Sequence, residues 1–411
     1  MSEIINNQSQ QKQESLKHII RELHRGVPVG KLKKEFHAII RNTSAEEIAE
    51  METALINEGF PVEEVQRLCD VHASVFEESL KKIGKAGKVP GHPVHSYLLE
   101  NKEAKKQLKH LRRLLKRIRR GKPDEALRQD FGQVFRRFKE IDKHFVRKEN
   151  QLFPALEAQN FTGPTKVMWG KHDEIRGYIR QIDAFFTAED WDALYREFKT
   201  LASAIKKLIF LEERILFRTA LRKLSDAEWA RIKRGEPEVG YAWITPSNLW
   251  DAGLAATQGM AERIESVEIN QEGKKMSEAI QLDTGELTAE QINLMLKHLP
   301  FDVTFVDEND KVCYYSDTAE RIFPRSPGII GREVQNCHPP KSVHIVEKIV
   351  ESFKNKTKTV ADFWIKMGGK FVYIRYFPVY DENGKYRGVL EVSQEISEIQ
   401  KLEGERRLLD W

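Results

Sequence analysis

His144-Phe145-Val146-Arg147-Lys148-Glu149-Asn150-Gln151-Leu152-Phe153-Pro154 decides the reading of this chain, and Leu211-Glu212-Glu213-Arg214-Ile215-Leu216-Phe217 echoes it. Leading into the first stretch, apolar residues recur in threes and fours: Leu127, Phe131, Val134, Phe138, Ile141, Phe145 and Leu152. That is the period of an amphipathic helix. Glu149 falls on the stripe and His144 on its shoulder. Three further segments repeat the pattern. Glu100 is in phase with Ala104, Leu108, Leu111 and Leu115. His172 fills the missing step in Met168, Ile175, Ile179, Ile182 and Phe186. Glu212 stands where Leu194, Phe198, Leu201, Ile205 and Leu208 call for an apolar side chain, just before Ile215. A carboxylate on a buried stripe is unfavourable unless it is paired or bound to a metal. Four amphipathic helices with His and Glu near their seams are how a bundle builds a carboxylate- and imidazole-bridged iron pair. The competing reading pairs the same side chains with the abundant Lys and Arg.

The segment from Gly91 to Phe217 resembles the hemerythrin-like (HHE) cation-binding domain, whose repeated pattern reads His-x-x-x-Glu-Glu-x-x-Leu-Phe-Pro. Leu152-Phe153-Pro154 and Leu216-Phe217 carry the resemblance. It implies non-haem iron, mono- or dinuclear, held by a subset of His92, His95, Glu100, His144, Glu149, His172, Glu212 and Glu213. The sequence departs from the pattern twice. Lys148 occupies the first Glu position of the helix-two copy, and Leu208 occupies the His position of the helix-four copy. The site is therefore poorer in histidine than that of oxygen-carrying hemerythrins.

The chain has 411 residues, which suggests two to four domains. Charged residues make up 32%, yet the net charge is only +4, a balance that does not point to nucleic acid. The basic run from Lys105 to Lys122 keeps helical apolar spacing and reads as the solvated face of a bundle helix. Three cysteines, Cys69, Cys313 and Cys337, provide no disulfide framework and suit a reducing compartment. No apolar run reaches membrane-spanning length, and the polar N-terminus is no signal peptide. The expected location is cytoplasmic.

Residues 1–88 read as a helical N-terminal domain of four helices, the third capped by Ser44-Ala45-Glu46-Glu47 and ended at Gly59. They resemble a helical domain of unknown function that precedes HHE domains in some bacterial and archaeal proteins. Cys69 and His72, three apart on the fourth helix, share a face. They form either a possible second site for metal or haem, or a buried thiol beside a hydrogen-bonded histidine. The bundle is placed at 89–235, with a short helix capped by Ser225 that finishes near Gly235. Residues 236–285 read as a connector with a turn between short strands at 281–287.

From Phe301 the period changes to two. Val303 to Asp307 and Val312 to Tyr315 read as a hairpin, followed by a helix from Ser342 to Phe353. Three further strands run Thr359 to Met367, Lys370 to Tyr380 and Tyr386 to Val392. Gly368-Gly369 and Asp381-Glu382-Asn383-Gly384 supply their turns. The order resembles a PAS domain, placed at 286–411 and ending in an exit helix from Glu395 to Leu409. The resemblance implies a cavity between sheet and helices, with Tyr315, Phe363, Trp364 or Tyr376 among its lining. Cys337, His338 and His344 are the candidate haem ligands there, because thiolate and imidazole are the usual axial donors. The alternative fills that cavity with side chains and leaves the histidines in structural roles.

The fold class expected is thus α+β multidomain: a helical N-terminal domain, a four-helix hemerythrin-like bundle, and a PAS antiparallel sheet with helices. The function expected is a cytoplasmic sensor of O2, nitric oxide or redox state at a non-haem iron site, with a gaseous or redox ligand and a signalling protein partner. A homodimer through PAS helices is expected, without nucleic acid or membrane. Two alternatives stand beside it. One is an enzyme for nitric oxide or peroxide detoxification or iron–sulfur repair. The other is a metal-free interaction scaffold.

Overall fold

A computed structural model describes residues 89–121, 124–247, 249–250, 279–318 and 321–405, with scattered positions between 14 and 65. Cys69, His72, the Ser44 capping box, residues 251–278 and the end of the exit helix lie outside the described residues. Residues 54–56 are helical. Phe60 N–H bonds to Leu55 O and Gly59 N–H to Ile56 O, with Gly59 at φ +91°, the closure expected of a glycine helix end.

Two compact units divide the chain, residues 1–263 and 264–411. In the first, helix α1 (Pro93–Ile118) forms one rod of a four-helix bundle. The second rod is built from α2 (Glu125–Phe138), α3 (Ile141–Arg147), a π-helical turn (Lys148–Leu152) and α4 (Phe153–Glu157). Helix α5 (Gly163–Thr187) is the third rod. The fourth joins α6 (Trp191–Leu211), a second π-helical turn (Glu212–Leu216) and α7 (Phe217–Lys223).

The two π turns fall on the two copies of the repeated motif. Such turns insert a residue into the helical ladder and concentrate at functional sites. The first one spans Lys148 and Glu149, both buried.

Helix α8 (Asp226–Val239) carries the expected capping box of Ser225 and Glu228. It runs past the expected stop near Gly235 and holds Pro237 within it. Its last turn is fixed by Glu236, whose Oε2 accepts from Lys233 Nζ and Tyr241 Oη. Residues 240–247 and 249–250, expected in the connector, pack back on the bundle. Trp243 donates to Arg137 O and lies on Phe138. Gly91, at φ +93°, faces Trp250 N and Ser247 O so closely that a Cβ would meet them at 2.7 and 2.8 Å.

The second unit opens with a small hairpin, β1 (Ile280–Leu282) and β2 (Gly285–Leu287), then helix α9 (Ala289–Lys297). Five antiparallel strands follow: β3 (Asp302–Asp307), β4 (Val312–Tyr315), β5 (Ala361–Met367), β6 (Lys370–Tyr380) and β7 (Tyr386–Glu395). Their spatial order is β4-β3-β7-β6-β5, the arrangement the PAS resemblance implies. Helix α10 (Pro340–Lys354) covers one face, where Val350 and Phe353 pack on Val306, Val312, Val389 and Tyr376.

The exit helix is corrected over its described part. Glu395 ends β7, paired with Val372. Only a 3-10 turn, Ile399–Lys401, follows before Gly404 at φ +66°. Side-chain capping wins here: Glu395 Oε1 accepts from Ser397 N–H, and Ser397 Oγ accepts from Phe371 N–H, which extends the sheet edge. Among the described residues no helix is long and apolar enough to cross a membrane.

Candidate functional site

The bundle interior is two apolar clusters with a polar layer between them. One cluster holds Ala104 to Ile118, Leu127 to Phe145, Ile175 to Ile182 and Leu194 to Ile209. The other holds Val94, Tyr97, Leu152 to Leu156, Met168, Trp169 and Leu211 to Leu224. Glu100, Lys148, Glu149 and His172 lie at sequence positions between these sets, His144 and Glu212 lie at their margins, and all six are buried. The structure therefore brings together five of the eight expected ligand residues, with Lys148 among them.

The remaining three are elsewhere or otherwise occupied. His92 caps α1, its Nδ1 accepting from Val94 N–H, with the ring against Trp229 and Trp250. Burial lowers its pKa to about 4, with Lys233 and His95 assisting and Asp226 opposing. A neutral ring is what an N-cap acceptor requires. Glu213 turns outward to Lys105, 2.9 Å away. His95 is half-buried, with Nδ1 lacking a hydrogen-bond partner.

Within the layer every carboxylate has a cation. Glu100 Oε2 accepts from Arg147 Nη2 and lies 2.7 Å from His144 Nδ1, while its Oε1 accepts from Ala242 N–H at 2.7 Å. Arg147 is fully buried between the rings of Tyr97 and Tyr241, 4.7 and 4.5 Å from their centroids. Glu149 takes both arms of Arg176, at 2.9 and 3.0 Å, and lies 2.7 Å from His172 Nδ1. Glu212 Oε1 accepts from Lys148 Nζ; its Oε2 lies 3.2 Å from His144 Nε2 and accepts from Asn101 at 2.9 Å.

Burial alone would raise the Glu212 carboxyl, but Lys148 and His144 hold it far below the ordinary carboxylate range. Burial lowers Lys148, with Glu212 pulling against it. Burial, Lys148 and Arg176 push His172 well below the usual imidazole value. A neutral His172 donates from Nδ1 to Glu149 and accepts at Nε2 from Lys148 Nζ, 3.0 Å away.

These residues do not fit a resident metal ion. The atoms a metal would take are engaged by ammonium and guanidinium groups, and three carboxylates already face three basic side chains. Among the described residues no group of three or more His, Cys, Asp and Glu side chains is arranged to hold a metal. Sequence reasoning noted Lys148 only as a departure and missed Arg147 and Arg176 as its counterparts. The signal available was Arg147 and Lys148 directly before Glu149, and Arg176 one helical turn after His172.

The haem candidates are not arranged around a common point. His338 Nδ1 donates to Val334 O at 2.8 Å, and burial lowers its pKa. Cys337 Sγ faces Glu333 O at 3.6 Å, and His344 is exposed on α10. Of the expected lining, Tyr315 and Tyr376 pack against the apolar cluster under α10, whereas Phe363 and Trp364 are exposed.

The inward register of the sheet instead presents two polar rungs. Asp302 pairs with Ser393 across β3 and β7, and Thr304 with Glu391, all four buried. Glu391 continues to Tyr376 on β6, and the next rung, Val306 with Val389, is apolar. Arg321 ties the first two rungs to the loop, donating to Thr304 Oγ1 and Ser316 Oγ. Burial lowers the His338 imidazole and raises the Tyr376 hydroxyl, with the charges of Glu391 and Arg325 acting on each. Among the described residues, the Nε of Arg325 is buried without a partner.

Three protein families match the chain. A family of unknown function, DUF438, matches residues 16–82, the hemerythrin HHE cation binding domain matches 92–220, and a PAS domain matches 292–397. No curated protein matches. Similar solved structures include a C-terminal domain from Streptococcus mutans, 36% identical, with a TM-score of 0.30, covering 31% of this chain and all of that one. The PAS domain of a protein from Colwellia psychrerythraea is 18% identical, covers 26% of this chain and 97% of its own, and has a TM-score of 0.22. A sensory box sensor histidine kinase from Vibrio cholerae is 10% identical over 26% of this chain and 90% of its own, at a TM-score of 0.21. The chain is a multidomain α+β protein in which DUF438, hemerythrin HHE and PAS matches follow one another in that order.

Proposed function

We propose that the chain is a sensory protein whose PAS domain takes a small polar ligand at the polar end of its inner sheet face. The observation that carries this reading is the pair of buried polar rungs, Asp302–Ser393 and Thr304–Glu391–Tyr376, where a sheet facing a helix ordinarily places apolar side chains. Glu391, His338 and Arg325 supply an acid, a neutral imidazole and a guanidinium with a buried unpaired nitrogen. Pockets for small ligands combine an apolar lining with a few convergent polar groups of this kind. A zwitterion or small carboxylate has the matching donors and acceptors. The test is a thermal-shift screen of the full chain against amino acids and small carboxylates, followed by calorimetry. A ligand whose binding is lost in Glu391→Gln supports the reading; no ligand across the screen sinks it.

A second reading, detection of O2, nitric oxide or redox state at iron in the bundle, is favoured by the match to a cation-binding family. It requires Lys148 to leave both Glu212 and His172. Elemental analysis of anaerobically purified protein separates the two readings, since stoichiometric iron would support the second. A homodimer is the signalling unit in either case, with exposed Ile399 and Leu402 after β7 as candidate contact residues. A monomeric mass at high concentration would remove that part.

A further inference from the structure

Lys148 stands where the HHE pattern has a glutamate, and its neighbours are the donors a divalent cation would take. Its Nζ contacts Glu212 Oε1 and lies 3.0 Å from His172 Nε2. His144 Nε2 lies 3.2 Å from the other oxygen of the same Glu212. The ammonium of the chain's own Lys148 thus lies against one carboxylate and one imidazole, and a second imidazole faces the same carboxylate. Lys148, His172 and Glu212 are each fully buried.

An ammonium is a compact cation with three donors and no acceptor, so it satisfies carboxylate and imidazole lone pairs as a metal does, without a coordination shell of its own. The outer acids are neutralised from behind, Glu100 by Arg147 and Glu149 by Arg176. A divalent ion entering this layer would face Lys148 across a few ångströms of low-dielectric interior, where like charges repel strongly.

We infer that the Lys148 ammonium is the cation of this bundle: the chain supplies from its own side chain the charge for which an HHE domain uses a metal ion. The bundle then folds without metal, and its polar layer is a fixed salt-bridge network. This inference goes beyond the PAS reading and does not depend on it.

The experiment uses the full chain, prepared anaerobically and titrated with Fe(II) and with Co(II) as an optical probe. The wild-type protein is expected to take up neither ion and to melt at the same temperature with or without chelator. Lys148→Glu, which replaces the ammonium with a carboxylate beside Glu212, His144 and His172, is expected to acquire a Co(II) absorption band and a metal-dependent melting temperature. If that variant folds only with metal present, refolding it with Co(II) gives the same readout. Stoichiometric metal in the wild-type protein, lost in a His144→Ala, His172→Ala double variant, would overturn the inference. So would a folded Lys148→Glu protein that binds no Co(II), because Lys148 would then not be what holds the cation position.

Discussion

The bundle and the PAS sheet each bury acids, bases and histidines, but they complete them differently. In the bundle, Glu100, Glu149 and Glu212 are each met by a cationic side chain and a ring nitrogen. In the PAS domain, Asp302 is met by Ile322 N–H and Thr318, but among the described residues Glu391 accepts only from its neighbour Ser393, at 3.3 Å, and Arg325 Nε has no partner. A closed polar network is a structural element; an open one has capacity left for something that binds. The family match to a cation-binding domain points to the bundle as the receptive region, whereas the function proposed above rests on the PAS domain.

The largest effect that would break this comparison lies at Lys148. Lys148→Met keeps volume and removes the charge, leaving Glu212 buried against the His144 imidazole and the Asn101 amide. Breaking a buried pair from one side costs about 3–5 kcal/mol. Denaturant unfolding should show a loss of that order, and Lys148→Met with Glu212→Leu should recover much of it. A single variant as stable as the wild-type protein would mean that the layer is not held by this pair.

Acid sharpens the comparison next. His92 titrates at about 4 in the folded chain against an ordinary 6.5, because burial disfavours its charged form. Folded pKa below unfolded pKa means that the unfolded chain binds the proton first. The stability is therefore intact above pH 6.5 and is lost as pH falls toward 4. The shift corresponds to about 3 kcal/mol. The physical event is loss of the α1 cap, since a protonated ring cannot accept from Val94 N–H. His172, also lowered, and Glu212, a carboxyl held low, act in the same direction. The His92 share is isolated by His92→Asn, which keeps a capping acceptor; its stability should fall less between pH 6.5 and 4 than that of the wild-type protein. Parallel curves for the two proteins would contradict the assignment.

A smaller loss is expected at Arg176. Arg176→Lys preserves charge but gives up one of the two hydrogen bonds to Glu149. The expected destabilisation is about 1.5 kcal/mol, measured by denaturant unfolding. No measurable change would mean that His172 and solvent hold Glu149 without the guanidinium fork.

These contrasts explain what the sequence allowed and withheld. The helix rods were legible because Phe131, Phe138, Ile141 and Phe145 keep one period, and the sheet because alternation begins at Val303. The convergence of Glu100, His144, Glu149, His172 and Glu212 was legible for the same reason: each interrupts an apolar series. Their partners were not. With 32% charged residues, no basic residue stands out by its type. The π turns at Lys148–Leu152 and Glu212–Leu216 change the phase on which a helical reading depends. The backbone N–H that completes Glu100 comes from Ala242, 142 residues away in a stretch read as connector. On the PAS side, the polar rungs follow from the register between β3, β7 and β6, which alternation within one strand does not specify.

The smallest effect tests that register. Trp364 and Phe363 were both expected to line the PAS cavity, yet adjacent residues of a strand face opposite sides. Phe363 pairs with Ile374, which is buried, and its ring lies 5.8 Å from Tyr376 on the inner face. Trp364 pairs with Tyr373 on the other face and is 62% exposed. Trp364→Ser should therefore change stability by no more than about 0.5 kcal/mol, the usual range for surface substitutions. It should also leave the affinity of a PAS ligand unchanged. Tyr376→Phe, which alters an inward group beside Glu391 without removing its ring, should weaken a polar ligand while changing stability little. Calorimetry on the two variants reads both quantities. If Trp364→Ser weakened the ligand and Tyr376→Phe did not, the ligand would sit on the outer face of β5, and the polar rungs would have to be explained as structure rather than as a site.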